Sequence, residues 1–425
     1  MSGFIVLISI IGVAFVTILI YEAVASYRRD IRIYTLADSL VNVYCGVMER
    51  SFDLFYAVLF LMASEYIYTN WAPFQIPSNL GTWLIGLVIF DFIAYWFHRL
   101  SHEINIFWAA HIVHHQSEEL NFTTVFRVSF FAVMFRSLFF IWMPFAGFDA
   151  FSILTFGVFL AGYQFLTHSR MIGKLGILEK FMTTPSHHRV HHGRNAQYMD
   201  HNYGHVLIIW DKMFGTFVPE EEEPEYGITS GFESNSAMNA QVSYWKDLIT
   251  RAKRASKFSD KIKVFIKGPS WTPEDVGFLP SEFKTNSTGE RIRRDVRITK
   301  EMSVYILSAA AITLLMFVRL VVLVKGMEVK SLSALIENQE VIFFTLFTIV
   351  SVYSQGLVLE NSKNSFLTEL VRLTGFVFLA FFFLENLNLG AWVVPTAMTY
   401  SVLHIIWIIR LNFFAGEQIR LVTGE

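Results

Sequence analysis

Apolar residues fall into long runs along this chain, and polar residues gather between them. The runs lie at roughly 4–25, 53–70, 81–97, 122–143, 148–167, 303–324, 341–359, 366–386 and 390–410. Each is about 20 residues long, the length an α-helix needs to cross a bilayer. The first run is longer than a signal-peptide core and follows no basic stretch, so it reads as a retained span. The run 122–143 carries Arg127 and Arg136, which are costly in hydrocarbon and suit a protein interior or an interface. Pro144 and Gly147 break the chain before the next run. The segments 122–143 and 148–167 are therefore expected as two spans or as a re-entrant hairpin. The pattern predicts an all-α fold, a polytopic membrane helical bundle.

Composition agrees. The chain is 53% hydrophobic and only 16% charged, against about 25% charged in a soluble domain. A net charge of −2 offers nucleic acid no attraction. The single cysteine, Cys45, excludes an internal disulfide, a thiolate zinc site and a cysteine-held iron–sulfur cluster. No glycine-rich dinucleotide fingerprint follows a plausible strand.

Basic residues set the orientation. Arg28, Arg29 and Arg32 follow the first run and place that end in the cytoplasm. Counting spans then puts 98–121 and 169–302 on the same side, in accord with Arg291, Arg293, Arg294, Arg297, Lys300, Lys363, Arg410 and Arg420. The expected organisation is N-terminal spans in 1–80, a core in 81–220, a cytoplasmic segment in 221–302 and C-terminal spans in 303–425. The long polar stretch holds an acidic run at Glu220–Glu223 and a basic one from Arg251 to Lys267. Both read as solvated surface, and the basic one also suits anionic lipid headgroups.

Histidines supply the chemistry. Nine of the thirteen lie in two short windows, 98–115 and 187–192. His98 and His102 are one helical turn apart. His111, His114 and His115 follow an i, i+3, i+4 pattern, as do His188, His191 and His192, so each set shares one helical face. Eight imidazoles exceed the needs of one ion and suit two octahedral ions with positions left open for oxygen. An all-nitrogen set favours iron, zinc, copper or nickel over magnesium or calcium. His168 ends an apolar run on the same side and is a further candidate. His187 is another, although it points about 100° away from His188 on a helix. His201 and His205 read as surface or supporting residues, and His404 as core. Glu103 and Asp91 are candidate acceptors for ring N–H groups. Asp91 reads equally well as a buried partner for an arginine of the hairpin.

A metal site over apolar spans suits a lipid substrate, because breaking an unactivated C–H bond calls for oxygen activated at a metal. The expected function is an oxygen-dependent lipid hydroxylase or desaturase. A metal transporter is the distant alternative, but transporter ligands usually lie near the membrane midplane.

Three longer stretches carry a resemblance. They are Asp91-Phe-Ile-Ala-Tyr-Trp-Phe-His98-Arg-Leu-Ser-His102-Glu103, then Trp108-Ala-Ala-His111-Ile-Val-His114-His115, then Thr184-Pro-Ser-His187-His188-Arg-Val-His191-His192 with Asn202-Tyr203-Gly204 and Trp210-Asp211 after it. Together they resemble the fatty acid hydroxylase and sterol desaturase superfamily of membrane di-iron enzymes. The resemblance implies metal ligation by His98, His102, His111, His114, His115, His188, His191 and His192, with His168 and His187 as additions. It implies a required carboxylate at Glu103, held in a cytoplasmic helical cap over the bundle. Glu103, the stretch Val218-Pro-Glu-Glu-Glu-Glu-Pro-Glu-Tyr226 and the stretch Lys263-Val-Phe-Ile-Lys267 are similar to members that hydroxylate the ether-linked carbon of alkylglycerols. What this implies is two iron ions (zinc fits the same ligands), oxygen, and tetrahydrobiopterin or another external reductant as electron donor. A sterol or other lipid C–H bond is the alternative substrate. The implied location is the endoplasmic reticulum of a eukaryote or the inner membrane of a bacterium.

Overall fold

The computed structural model describes residues 2–277, 298–327, 331–384 and 392–414. Arg291, Arg293, Arg294, Arg297 and Arg420, used above for orientation, lie outside the described residues, as does the junction of the last two expected spans. The described residues are helical, with no strand among them. In order the helices are α1 (Ser2–Arg28), α2 (Leu36–Asn70), α3 (Leu80–Glu103), α4 (Asn105–His115), α5 (Ala132–Phe140), α6 (Trp142–Phe145), α7 (Ala150–Thr167), α8 (Pro185–His192) and α9 (Ile209–Phe214). Then come α10 (Ala237–Arg254), α11 (Phe258–Ile266), α12 (Lys300–Gly326), α13 (Leu332–Ile336), α14 (Gln339–Leu359), α15 (Ser365–Leu379) and α16 (Val393–Phe414). Six of the described helices are long and apolar enough to cross a membrane: α3, α7, α12, α14, α15 and α16. The chain is an integral multi-pass membrane protein.

Three expected spans are not among these six: the run 4–25 forms the helix α1, and two others differ in the structure. The run 53–70 is only the second half of α2, a helix of 35 residues. Thr35 caps its start by accepting a hydrogen bond from the Asp38 amide at 3.2 Å, and no proline interrupts the chain before Asn70. Its first half is buried in the main core, with Val41, Tyr44, Cys45 and Met48 inside. The run 122–143 is not a span. Its first ten residues form an irregular loop around a 3₁₀ turn at Thr124–Phe126. Its helical remainder is the short apolar pair α5 and α6, covering Ala132–Phe145.

Arg127 explains the irregular loop. Its side chain is 2% exposed. Its Nε donates to the Val113 carbonyl at 3.0 Å, and its Nη1 donates to Asn42 at 2.9 Å and pairs with Asp38 at 3.3 Å. The loop folds back beneath α4 to make these contacts, which a membrane-spanning helix could not do. Gly147 then turns the chain with φ +92°, and a Cβ there would lie 2.5 Å from the Phe74 carbonyl.

Of the C-terminal helices, α12 and α14 dock on α2 through polar contacts as well as apolar ones. The Tyr44 hydroxyl donates to Gln355 on α14, and Gln355 donates to Thr313 on α12 at 2.8 Å. On α15, the fully buried Arg372 and Glu369 pair at 2.6 Å, and Tyr305 of α12 and Ser354 of α14 both donate to that carboxylate. Charges this deep persist only when paired and hydrogen-bonded.

Replacing Arg127 with leucine removes three contacts and leaves Asp38 and Asn42 facing an apolar surface. The expected loss is about 3–5 kcal/mol of stability, read as a lowered thermal midpoint of the detergent-solubilised protein.

Candidate metal centre

Four segments bring the histidines together. α3 carries His98 and His102 on its last two turns, and α4 follows after a single extended residue, Ile104. α4 presents His111, His114 and His115. His168 sits just past the end of α7, where helical geometry stops. α8 is one short helix of eight residues, started by Thr184 and Pro185, and all eight are buried.

The imidazoles sort into two sets. His98, His102, His111, His115 and His191 form the first; His114, His168, His188 and His192 form the second. In each set one ring nitrogen per residue lies within 4.8 Å of all the others. The sets share a wall: the rings of His115 and His192 stack with centroids 4.5 Å apart, and His114 meets His192 at 4.6 Å. Each triplet on α4 and α8 therefore divides between the two sets. Trp108 and Tyr203 close the first set, with ring centroids 4.9 and 5.2 Å from His102.

Backbone carbonyls fix the tautomers. A carbonyl oxygen only accepts, so each Nδ1 that meets one carries the proton. His98 donates to Tyr203 at 2.8 Å, His114 to Arg127 at 3.2 Å, His168 to Gln164 at 2.7 Å and His191 to His201 at 3.0 Å. The Nε2 atoms of these neutral rings then hold bare lone pairs. His114 Nε2 and His168 Nε2 face each other at 3.1 Å. Two lone pairs at that distance repel unless a cation lies between them. A proton is a poor candidate, because burial and the neighbouring imidazoles hold His114 well below its ordinary pKa, and burial lowers His168 to about 4. His111, His115, His188, His191 and His192 are depressed for the same first reason, burial, reinforced by one another. In addition, the buried Nε2 atoms of His102 and His191 have no hydrogen-bond partner. Neutral, converging and unpartnered nitrogens fit transition-metal ions.

Other expected residues lie elsewhere. His187 is outside both sets: its ring caps α8 by accepting the Thr184 amide at 3.3 Å, as its 100° offset from His188 foretells. Glu103 pairs with Arg99 at 2.8 Å, with its side chain 43% exposed. Asp91 fills neither of its expected roles. It accepts from the amides of Val206 and Leu207 at 2.9 and 3.1 Å and from the Trp210 indole at 2.9 Å, which ties α3 to the loop behind the third box. Asp211 does the same for the Tyr203 and Gly204 amides at 2.8 and 2.7 Å. A Cβ at Gly204 would lie 2.7 Å from the Leu207 carbonyl and 2.8 Å from Asp211. His205 stands beside His98 at 4.9 Å without joining the set, and His404 is core. The carboxylate that reaches an imidazole is Asp200, 3.5 Å from His102 Nδ1. A lone acid in a polar loop, held at φ +61°, gave no periodic signal.

The family profile described as Fatty acid hydroxylase matches residues 83–216, the segment that carries both histidine sets. Among curated proteins, the alkylglycerol monooxygenase of Xenopus tropicalis is 32% identical over 93% of this chain and 86% of its own. The Homo sapiens enzyme of that name is 32% identical over 81% and 75%. An ornithine lipid hydroxylase of Rhizobium tropici is 31% identical over 43% and 56%. No solved structure matches significantly.

Three variants separate the roles. His114→Ala is expected to lower the metal content of the purified protein, whereas His187→Ala leaves it unchanged; elemental analysis reads both. Asp200→Ala is expected to weaken metal retention or turnover by about 10- to 100-fold, the usual effect of losing a partner that orients a ligating imidazole; titration with a competing chelator reads it.

Proposed function

The chain belongs to the fatty acid hydroxylase family and is a membrane lipid monooxygenase, and from that premise we propose that it oxidises the ether-linked carbon of alkylglycerols. The carrying observation is the division of nine converging imidazoles into adjacent sets of five and four. In this reading His98, His102, His111, His115 and His191 hold one iron ion, and His114, His168, His188 and His192 hold the other. The two ions supply oxygen activation beside a lipid chain.

The protein's own groups do the rest. The carbonyls of residues 127, 164, 201 and 203 hold four Nδ1 protons, which keeps four Nε2 lone pairs aimed inward. Asp200 supports His102 from the water side. The second set offers four imidazoles against five in the first, so an ion held there would have more need of exogenous ligands. Trp108 and Tyr203 shield the first set from water, as an oxidising site requires.

One oxygen atom enters the C–H bond next to the ether oxygen, and the other leaves as water with two protons and two electrons. The hemiacetal so formed breaks its carbon–oxygen bond to give a fatty aldehyde and glycerol. The electrons come from an external donor, with tetrahydrobiopterin the first choice. The site faces the cytoplasm. The likeness to an ornithine lipid hydroxylase over 192 residues supports a second reading, in which the same centre hydroxylates another lipid.

The test is aldehyde release by the iron-loaded protein in nanodiscs, supplied with a 1-O-alkylglycerol, oxygen and tetrahydrobiopterin. Aldehyde is expected in step with oxygen consumed. Oxygen uptake with no aldehyde, together with a hydroxylated product from an ornithine lipid or a sterol, would move the assignment to the second reading.

A further inference from the structure

The basic stretch is not used by the metal centre. Between residues 246 and 267 the chain carries eight basic and two acidic residues, and it folds as the antiparallel pair α10 and α11. One face of α11 is apolar and bare. Phe258, Ile262 and Ile266, spaced i, i+4, i+8, are 77%, 49% and 57% exposed. Ile249 of α10, 44% exposed, extends the patch. The groove between the helices is floored by Ile249, Ile262, Phe265 and Ile266 and edged by Lys253 and Lys261.

Two sets of contacts fix the level of this hairpin. α3 spans the membrane and ends at Glu103. Two residues later, the Asn105 amide donates to the Lys267 carbonyl at 2.9 Å, and its side chain donates to the Val264 carbonyl at 2.9 Å. Tyr244 of α10 donates to the same asparagine at 2.6 Å. The end of α11 is thus stitched to the point where α3 leaves the bilayer. On the other flank, Trp245 packs against Phe131 and Phe135, with centroids 5.0 and 6.3 Å away. Phe135 belongs to the apolar α5, whose Leu138 is 59% exposed.

We propose that the α10–α11 hairpin lies in the plane of the membrane surface, with the apolar stripe of α11 among acyl chains and Lys253, Lys257 and Lys261 on anionic lipid headgroups. A bare apolar stripe beside a cationic fringe at the depth of the interface is the signature of an in-plane helix. A second copy of the chain is a poor occupant, because a two-fold contact would set these lysines against themselves.

The test uses the full chain in nanodiscs. Cys45 is fully buried, so a nitroxide reagent goes to an introduced cysteine. Labels are placed at Ile262→Cys, at Leu315→Cys on the exposed side of α12 as a lipid reference, and at Glu221→Cys as an aqueous reference. Collision rates with oxygen and with a water-soluble nickel chelate are compared. With phosphatidylglycerol in the bilayer, the oxygen-to-nickel ratio at 262 is expected to be severalfold above that at 221 and close to that at 315. Changing Lys253, Lys257 and Lys261 to glutamate, or using phosphatidylcholine alone, is expected to lower it toward the aqueous value. A ratio at 262 equal to that at 221 in every bilayer overturns the proposal. Shielding from both reagents together with cross-linked dimers also overturns it, in favour of a second copy. Deep immersion that ignores both lipid charge and the lysine changes overturns the headgroup assignment.

Discussion

The structure depends on facing lone pairs. Four backbone carbonyls claim four Nδ1 protons, and the Nε2 atoms left bare point into two small volumes lined with nitrogen. Without a cation this arrangement is repulsive, and burial denies it the easy remedy of protonation. The fold must therefore hold the rings in place by means other than their mutual attraction. It does so with Arg127, which ties α2 to the last turn of α4, with Asp91, which fastens the loop behind α8 to α3, and with Asp211, which fastens that loop to α9.

This explains where the buried polar residues are spent. None of Arg127, Asp91 and Asp211 belongs to either histidine set. Asp91 and Asp211 satisfy amides of an irregular segment that would otherwise be buried without partners, and Arg127 joins its own loop to α4 and α2. The loops at 122–131 and 201–208 run through the interior and not over the surface, because they deliver the carbonyls of residues 127, 201 and 203 to imidazoles. Loop conformation and metal-site geometry are set by the same contacts.

Much of the site was legible in the sequence. The i, i+3, i+4 spacing of His111, His114 and His115 and of His188, His191 and His192 is a helical face, and α4 and α8 present those faces. The end of an apolar run marked His168. The division of each triplet between two sets was not legible, since it depends on how α4 and α8 cross. Asp200 was invisible because a single loop acid has no period. The run 122–143 misled because hydropathy counts phenylalanines and cannot register that Arg127 folds back onto Val113 and Asn42. Asp91 offered two readings, and its actual partners, two amides and an indole, are far away in the chain.

The contact between Tyr44 and Gln355 bears on how such a chain can be shortened. A phenol sunk in a helix interior needs an acceptor, and here that acceptor sits more than 300 residues downstream. A version trimmed after α11 would strand the hydroxyl in oil, next to the half of α2 that grips Arg127. The trailing helices are thus no detachable appendage: pruning them would loosen the catalytic chamber from behind unless position 44 changed to phenylalanine or leucine at the same time.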